Sequence, residues 1–300
     1  MCSSDLGALT ACGGQAPSGG GTGAPSPIPP VVPTPLPAPP SGAVPQVFVG
    51  AGDISMCDPN AEATARLVDG IGGTVFTLGD HAYFQGTAQE FRTCYDPTWG
   101  RHKARTRPVP GNHDYESAGA APYFAYFGAN AGPTGLGYYS FDLGAWHVVA
   151  MNSNIPIQAG TAQWAWLRQD LAASRSRCLL AYWHHPLFTS GPDGTTAEVR
   201  DVWRLLYDAG AELVLNGHEH LYERFAPQDP DGRPDTAQGI REIIAGTGGA
   251  ALYAPLGAAA NSEVRLSAFG VLKLTLATDG YQWEFIPVSG RGDTGASSCH

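Results

Sequence analysis

Four short apolar runs punctuate the chain: Gln46-Val47-Phe48-Val49, Thr74 to Leu78, Cys178-Leu179-Leu180-Ala181-Tyr182-Trp183 and Glu212-Leu213-Val214-Leu215. Runs this short, with no polar alternation and with turn residues at their ends, predict strands buried on both faces. Between them, apolar residues recur at helical spacing over Ala61 to Ile71, Ala162 to Ala173 and Ala197 to Ala209. Trp164, Leu167 and Leu171 fall on one helical face, as do Val199, Val202 and Leu206. Two hairpins are predicted, Gly137 to Asn152 around Leu143-Gly144 and Val271 to Val288 around Asp279-Gly280, the second a strong turn pair. The sum is an α/β domain with a substantial mixed or antiparallel component.

The pattern is missing from the first 45 residues, which hold one charged residue, Asp5. From Gly13 to Pro45 the chain is dominated by Gly, Pro, Ala, Ser and Thr. Such a composition cannot bury enough surface to offset ordering entropy, so 1–45 is expected to end in a disordered, proline-stiffened linker and 46–300 to be the folded domain. Leu9-Thr10-Ala11-Cys12 resembles a bacterial lipobox, in which the cysteine is lipidated, making Cys12 a candidate anchor. Only eight residues precede Leu9, with neither a basic nor an apolar region, so the segment reads as a truncated export signal. The expected location is outside the cytoplasm: periplasmic, on the cell surface as a lipoprotein, or secreted.

A formal net charge of −10, with no Lys/Arg cluster, argues against nucleic acid as a partner. No run of 18 apolar residues occurs, so no transmembrane helix is expected. The folded part carries Cys57, Cys94, Cys178 and Cys299, which allow three pairings. An exported context favours disulfides over free thiols.

The chemistry lies in the residues just past each buried strand. The first strand ends in Gly52-Asp53, the second in Gly79-Asp80, the third in His184-His185-Pro186 and the fourth in Gly217-His218-Glu219-His220. After Arg107-Pro108-Val109-Pro110 comes Gly111-Asn112-His113-Asp114. Each motif alone is ordinary turn chemistry, and a tyrosine such as Tyr83 just past a strand is usually a packing residue. Together they place carboxylates, an amide and imidazoles where α/β sheets build their sites, beyond the strand carboxyl ends. These donors suit hard and borderline cations, and there are too many for one ion.

This order of motifs, with Tyr83 three residues after Asp80, resembles the metallophosphoesterase superfamily and, through Tyr83, its purple acid phosphatase branch. The resemblance runs from Gly52 to His220. It implies two packed mixed β-sheets flanked by helices, a four-layer sandwich with the metal centre at the sheet edge. It implies that Asp53, Tyr83 and His220 bind ferric iron, that Asn112, His184 and His218 bind a divalent ion (zinc, iron or manganese), and that Asp80 bridges them. Branches that bind two divalent ions place a histidine two residues after the first Asp; here Ser55 stands there. His185 is then expected to face substrate or lie behind the ligands. His113, oriented by Asp114, is the candidate to contact phosphate or to protonate the leaving oxygen.

The implied activity is hydrolysis of small phosphorylated substrates, foremost as an acid phosphatase on phosphomonoesters. A phosphodiesterase or nucleotidase with the same centre is the alternative, and a non-catalytic surface-binding module a third reading. Plant enzymes of the branch carry further histidines after the third motif, where this chain reads Ser190-Gly191-Pro192-Asp193-Gly194. The proline-rich tract stands where those enzymes have a β-sandwich domain. Placed among the motifs, Cys57 is expected to pair with Cys94, bracing the first two ligand loops, and Cys178 with Cys299, tying the C-terminus to the third ligand strand.

Overall fold

In the computed structural model, which describes residues 44–133 and 135–300, the four apolar runs become central strands. The linker expected over 1–45, with Cys12, lies outside the described residues apart from Val44 and Pro45. The chain first lays down β1 (Gln46–Ala51), β2 (Thr74–Leu78) and β3 (Thr106–Val109), all parallel. A second sheet is built from β4 (Tyr139–Leu143), β5 (Trp146–Ala150), β6 (Cys178–Tyr182), β7 (Leu213–Asn216), β8 (Tyr222–Phe225), β9 (Arg241–Ala245) and β10 (Ser262–Leu266). The chain then returns to the first sheet with β11 (Gly270–Leu276), β12 (Gly280–Pro287) and β13 (Asp293–Ser298). Strand orders are β13-β12-β11-β1-β2-β3 and β10-β8-β9-β7-β6-β5-β4.

Side-chain alternation explains why the central strands read as unbroken apolar runs. Phe48, Phe76 and Leu78 point between the sheets, where they meet Leu180, Tyr182, Leu213 and Leu215. Their neighbours Val49, Ala51 and Val75 point outward against Ala61, Ala65 and Val68 of the helix Pro59–Asp69. On the opposite outer face, Val149, Ala181 and Val214 meet Leu167 of the helix Ala162–Ala173 and Val202 and Leu206 of the helix Arg200–Asp208. Both faces of the central strands are therefore dry, and the result is the expected four-layer sandwich.

Local chemistry sets the boundaries. The first helix starts at Pro59, two residues before the apolar pattern, because the Asp58 side chain accepts from the Asn60 N–H and proline suits the first helical turn. Thr161 caps Ala162–Ala173 in the same manner. The segment expected as one helix over Ala197 to Ala209 opens with a tight turn at Ala197–Val199 before Arg200–Asp208. Both hairpins form, with Leu143 opposite Trp146 and Leu276 opposite Tyr281. The two expected disulfides are present: Cys57–Cys94, with Cα atoms 4.6 Å apart, and Cys178–Cys299, at 5.8 Å. No helix of the described residues is long and apolar enough to cross a membrane.

At one end of the sandwich the two sheets are joined through the main chain. The Gly52 N–H, just beyond β1, donates to the Ala245 carbonyl at the end of β9 (2.8 Å), and Gly248 N–H donates back to Gly52 (2.8 Å). The carboxyl ends of β1, β2 and β3 thus open beside those of β6, β7 and β9, and every motif singled out in the sequence lies there.

Candidate metal centre

Each carboxylate of the centre is held by one oxygen and leaves the other facing inward. Asp53 accepts the His218 N–H on Oδ2 (2.9 Å), while its Oδ1 lies 3.1 Å from the Tyr83 hydroxyl and 3.4 Å from His220 Nε2. Asp80 accepts the His113 N–H on Oδ1 (2.8 Å) and turns Oδ2 toward the Tyr83 hydroxyl, 3.1 Å away. Tyr83 and His220 close the group, with the phenol oxygen 3.0 Å from His220 Nε2. A second group adjoins it. The Asn112 side-chain oxygen lies 3.0 Å from His184 Nε2 and 3.1 Å from His218 Nδ1, and His184 Nε2 is 3.3 Å from Asp80 Oδ2.

The imidazoles are aimed by their far nitrogens. His184 donates through Nδ1 to the Leu78 carbonyl (2.6 Å) and His220 through Nδ1 to the Ala251 carbonyl (2.8 Å), so in both rings Nε2 is left to face the group. The backbone is bent to the same end. Asp53, Asp80 and His218 adopt φ of 60°, 53° and 68°, a left-handed conformation that costs a non-glycine residue on the order of 1–3 kcal/mol. Glycine is required where these carboxylates press on the main chain: a Cβ on Gly111 would sit 2.1 Å from Asp80 Oδ1.

The electrostatics suit cations. Burial, then the carboxylates of Asp53 and Asp80, hold the Tyr83 phenol far above its ordinary pKa. Burial opposes charge on His184, yet the Asp80 carboxylate raises it to about 9. Asp80, in spite of burial, is held below the usual carboxylate range by His184 and His113. His218 is pushed down to about 4 by burial and His184, and His185 to about 2 by burial and by both of those imidazoles. Two carboxylates and a phenol crowd together with no Lys or Arg among their hydrogen-bond partners in the described residues. Asp53, Asp80 and His184 form one set of mutually close donor atoms and His184, His185 and His218 another. Hard oxygens beside borderline nitrogens are the donors that a pair of metal ions takes, so the residues fit the centre that the sequence implies.

The expected catalytic residues are brought to the same place, with one correction. His113 lies against Tyr83, ring centroids 4.4 Å apart, but Asp114 does not orient it. The His113 Nδ1 donates instead to the Phe84 carbonyl (2.6 Å). Asp114 is fully buried and accepts the N–H groups of Asp80 (3.1 Å) and Gly111 (2.8 Å) and the His81 Nδ1 (2.9 Å), which pins the second motif to the Asn112 loop. An acid three residues past a helix cap bonds back to the cap's own N–H, which turns Asp114 inward and away from the imidazole beside it. His185 lies with its ring centroid 4.8 Å from that of His184 and 4.5 Å from that of His218, its Nδ1 2.7 Å from the Ser153 hydroxyl.

Several contributors carry no sequence signal of their own. Ser153 holds His185 from just past the end of β5, and Tyr253 stacks on His220 with centroids 4.2 Å apart and planes 13° from parallel. Gly246, in the Gly-Thr-Gly-Gly run after β9, lets Asp53 pack on its Cα; a Cβ there would be 2.7 Å from Asp53 Oδ2. Glu219, buried between the two outer histidines of its motif, accepts the Gly194 N–H (2.9 Å) and so anchors the Ser190 to Gly194 segment beside the centre.

A four-layer sandwich with paired donor groups at its strand ends defines a protein of the metallophosphoesterase class. The chain belongs to the calcineurin-like phosphoesterase family, which it matches over residues 47–222. It is similar to purple acid phosphatase 21 of Arabidopsis thaliana, 30% identical over 214 residues that cover 63% of this chain and 47% of that protein. Purple acid phosphatase 15 of the same plant is 28% identical over 214 residues, 58% of this chain and 40% of its own length. The chain spans about half the length of the curated relatives it matches. Among solved structures, a purple acid phosphatase from yellow lupin (Lupinus luteus) seeds shares the fold with a TM-score of 0.70 at 19% identity, over 86% of this chain and 55% of that one.

Proposed function

We propose that the protein is a metal-dependent acid phosphatase that hydrolyses small phosphomonoesters. The observation that carries this reading is Asp80 Oδ2, which lies 3.1 Å from the Tyr83 hydroxyl and 3.3 Å from His184 Nε2 and so belongs to both donor groups. In this reading Asp53, Tyr83 and His220 would hold ferric iron, Asn112, His184 and His218 would hold a divalent zinc, iron or manganese, and Asp80 would serve both. When bound, such a pair supplies positive charge for the phosphoryl oxygens and activates water for attack.

The chain's own residues do the rest. The N–H groups of His113 and His218 fix the carboxylates of Asp80 and Asp53, so neither must reorganise when phosphate arrives. With Nδ1 committed to the Phe84 carbonyl, His113 has only Nε2 to offer to substrate. As the P–O bond breaks, a His113 imidazolium gives its Nε2 proton to the departing alkoxide oxygen and is left neutral with Nδ1–H on the Phe84 carbonyl. Burial and the neighbouring His184 and His218 imidazoles disfavour charge on His185, which, held by Ser153, serves to contact phosphate.

The two disulfides support export, to the periplasm, the cell surface or the medium, with residues 1–45 as a tether and Cys12 as its lipid anchor. The test is metal analysis of the purified protein beside turnover of p-nitrophenyl phosphate and its bis ester. Two metals per chain including iron, with the monoester hydrolysed faster, are expected. Preference for the diester would favour the phosphodiesterase reading, and two bound metals without turnover a binding module.

A further inference from the structure

Phe84 is 59% exposed, whereas Tyr83 beside it is 4% exposed. The Phe84 ring belongs to none of the apolar clusters among the described residues. A large apolar ring left in water is unfavourable, and a free loop would fold it inward. Here the loop is prevented from doing so. The Glu90 carboxylate accepts the N–H groups of Phe84 (2.7 Å), Gln85 (3.3 Å) and Thr87 (2.8 Å) together with the Thr87 hydroxyl (2.8 Å). The Ser117 hydroxyl donates to the Gln85 carbonyl (2.7 Å). Gly86, at φ 56°, lies so close to the next motif that a Cβ would be 2.7 Å from both Asp114 Cα and the His113 carbonyl oxygen.

The main chain that carries the ring is therefore fixed, and the ring stands beside the centre. Its centroid lies 5.9 Å from that of Tyr83 and 6.3 Å from that of His113, edge to face in both cases. His113 is the group that meets the departing oxygen in the phosphatase reading, so whatever that oxygen carries emerges next to Phe84. An exposed aromatic face on a fixed main chain binds a flat ring better than a flexible chain, because a flat ring has little rotamer freedom to lose on contact.

We propose that Phe84 is a specificity-determining residue, its ring packing on a planar aromatic group carried by the leaving alcohol of the phosphate ester. This rests on the phosphomonoesterase reading and adds the substrate class to it. The main chain of Phe84 orients His113 and its side chain selects the alcohol, so the two roles separate on mutation.

The experiment compares benzyl with ethyl phosphate, two alkyl esters that differ in the ring, and the non-hydrolysable benzylphosphonate with ethylphosphonate. Native protein should bind benzylphosphonate more tightly by about 2- to 12-fold, the value of one aromatic pair, with the same ratio in KM for the esters. Phe84→Ala should erase the ratio by weakening only the benzyl compounds, with metal content retained; Phe84→Trp should preserve it. Equal affinities in the native protein, or an equal loss for both phosphonates in Phe84→Ala, would overturn the proposal. Ring selectivity in phosphonate binding without any ester hydrolysis would uphold the aromatic contact and reject the phosphatase reading instead.

Discussion

The His113 N–H donates to Asp80 Oδ1 at 2.8 Å, which immobilises one oxygen of the carboxylate and leaves Oδ2 free between the Tyr83 hydroxyl and His184 Nε2. Removing that carboxylate removes the shared anion, and the other acid of the centre, Asp53, turns its free oxygen to Tyr83 and His220 instead. Asp80→Ala should bind neither metal tightly and hydrolyse nothing above background. Mass spectrometry of the metals, read beside turnover, checks this; two retained ions with near-normal activity would refute the sharing.

Tyr83 gives a spectroscopic prediction. Burial and two carboxylates make its phenolate strongly unfavourable without a cation nearby, so ionisation of Tyr83 reports a bound metal. Oxidised protein loaded with iron should be purple or violet. Tyr83→Phe should lose the visible band while keeping the fold, because only the oxygen departs. A band that survives the substitution would return Tyr83 to packing.

His113→Ala should leave the metals in place, since the N–H that holds Asp80 is main chain. Hydrolysis should slow by roughly 10² to 10⁴ for alkyl phosphates, whose alkoxides need protonation. Esters with good leaving groups, such as p-nitrophenyl phosphate, should lose less. A uniform loss across leaving groups would assign His113 to phosphate positioning.

A pH effect on stability arises away from the centre. His147, 8% exposed, lies between Asp170 Oδ2 (2.8 Å) and Asp142 Oδ1 (2.9 Å), and the Asp170 hydrogen bond raises its pKa above the ordinary value in spite of burial. A raised pKa means the folded state binds the proton more tightly. The stabilisation is therefore full below the unfolded value, about 6.5, and disappears as pH rises through the folded one. His147→Gln should lower the melting temperature most in acid, the gap narrowing with rising pH. A gap independent of pH would mean that His147 contributes packing alone.

The central strands were legible because β1, β2, β6 and β7 are dry on both faces and write that into uninterrupted apolar runs. β13 was not: Asp-Thr-Gly-Ala-Ser-Ser has almost nothing to bury and is held through its backbone against β12. The donor set was legible because strand ends concentrate it into short motifs. The job of Asp114 was not, since its partner His81 sits 33 positions earlier in a wholly buried aromatic box of Phe91, Tyr95, Tyr123 and Phe127. Ser153 and Tyr253 were silent for a related reason: each contributes a single side chain from a segment whose pattern reports only a turn.

The N–H groups that hold the two carboxylates have a consequence for recombination among relatives. Asp53 relies on the main chain of His218, which comes from the other sheet, and Asp80 on that of His113. A loop transplanted alone would carry an acid without its clamp, or a clamp without its acid. Chimeras should then accept foreign sequence around Gly52-Asp53 only together with Gly217-His218, and around Gly79-Asp80 only together with Gly111 to His113, so that the heritable unit of this centre is a pair of loops.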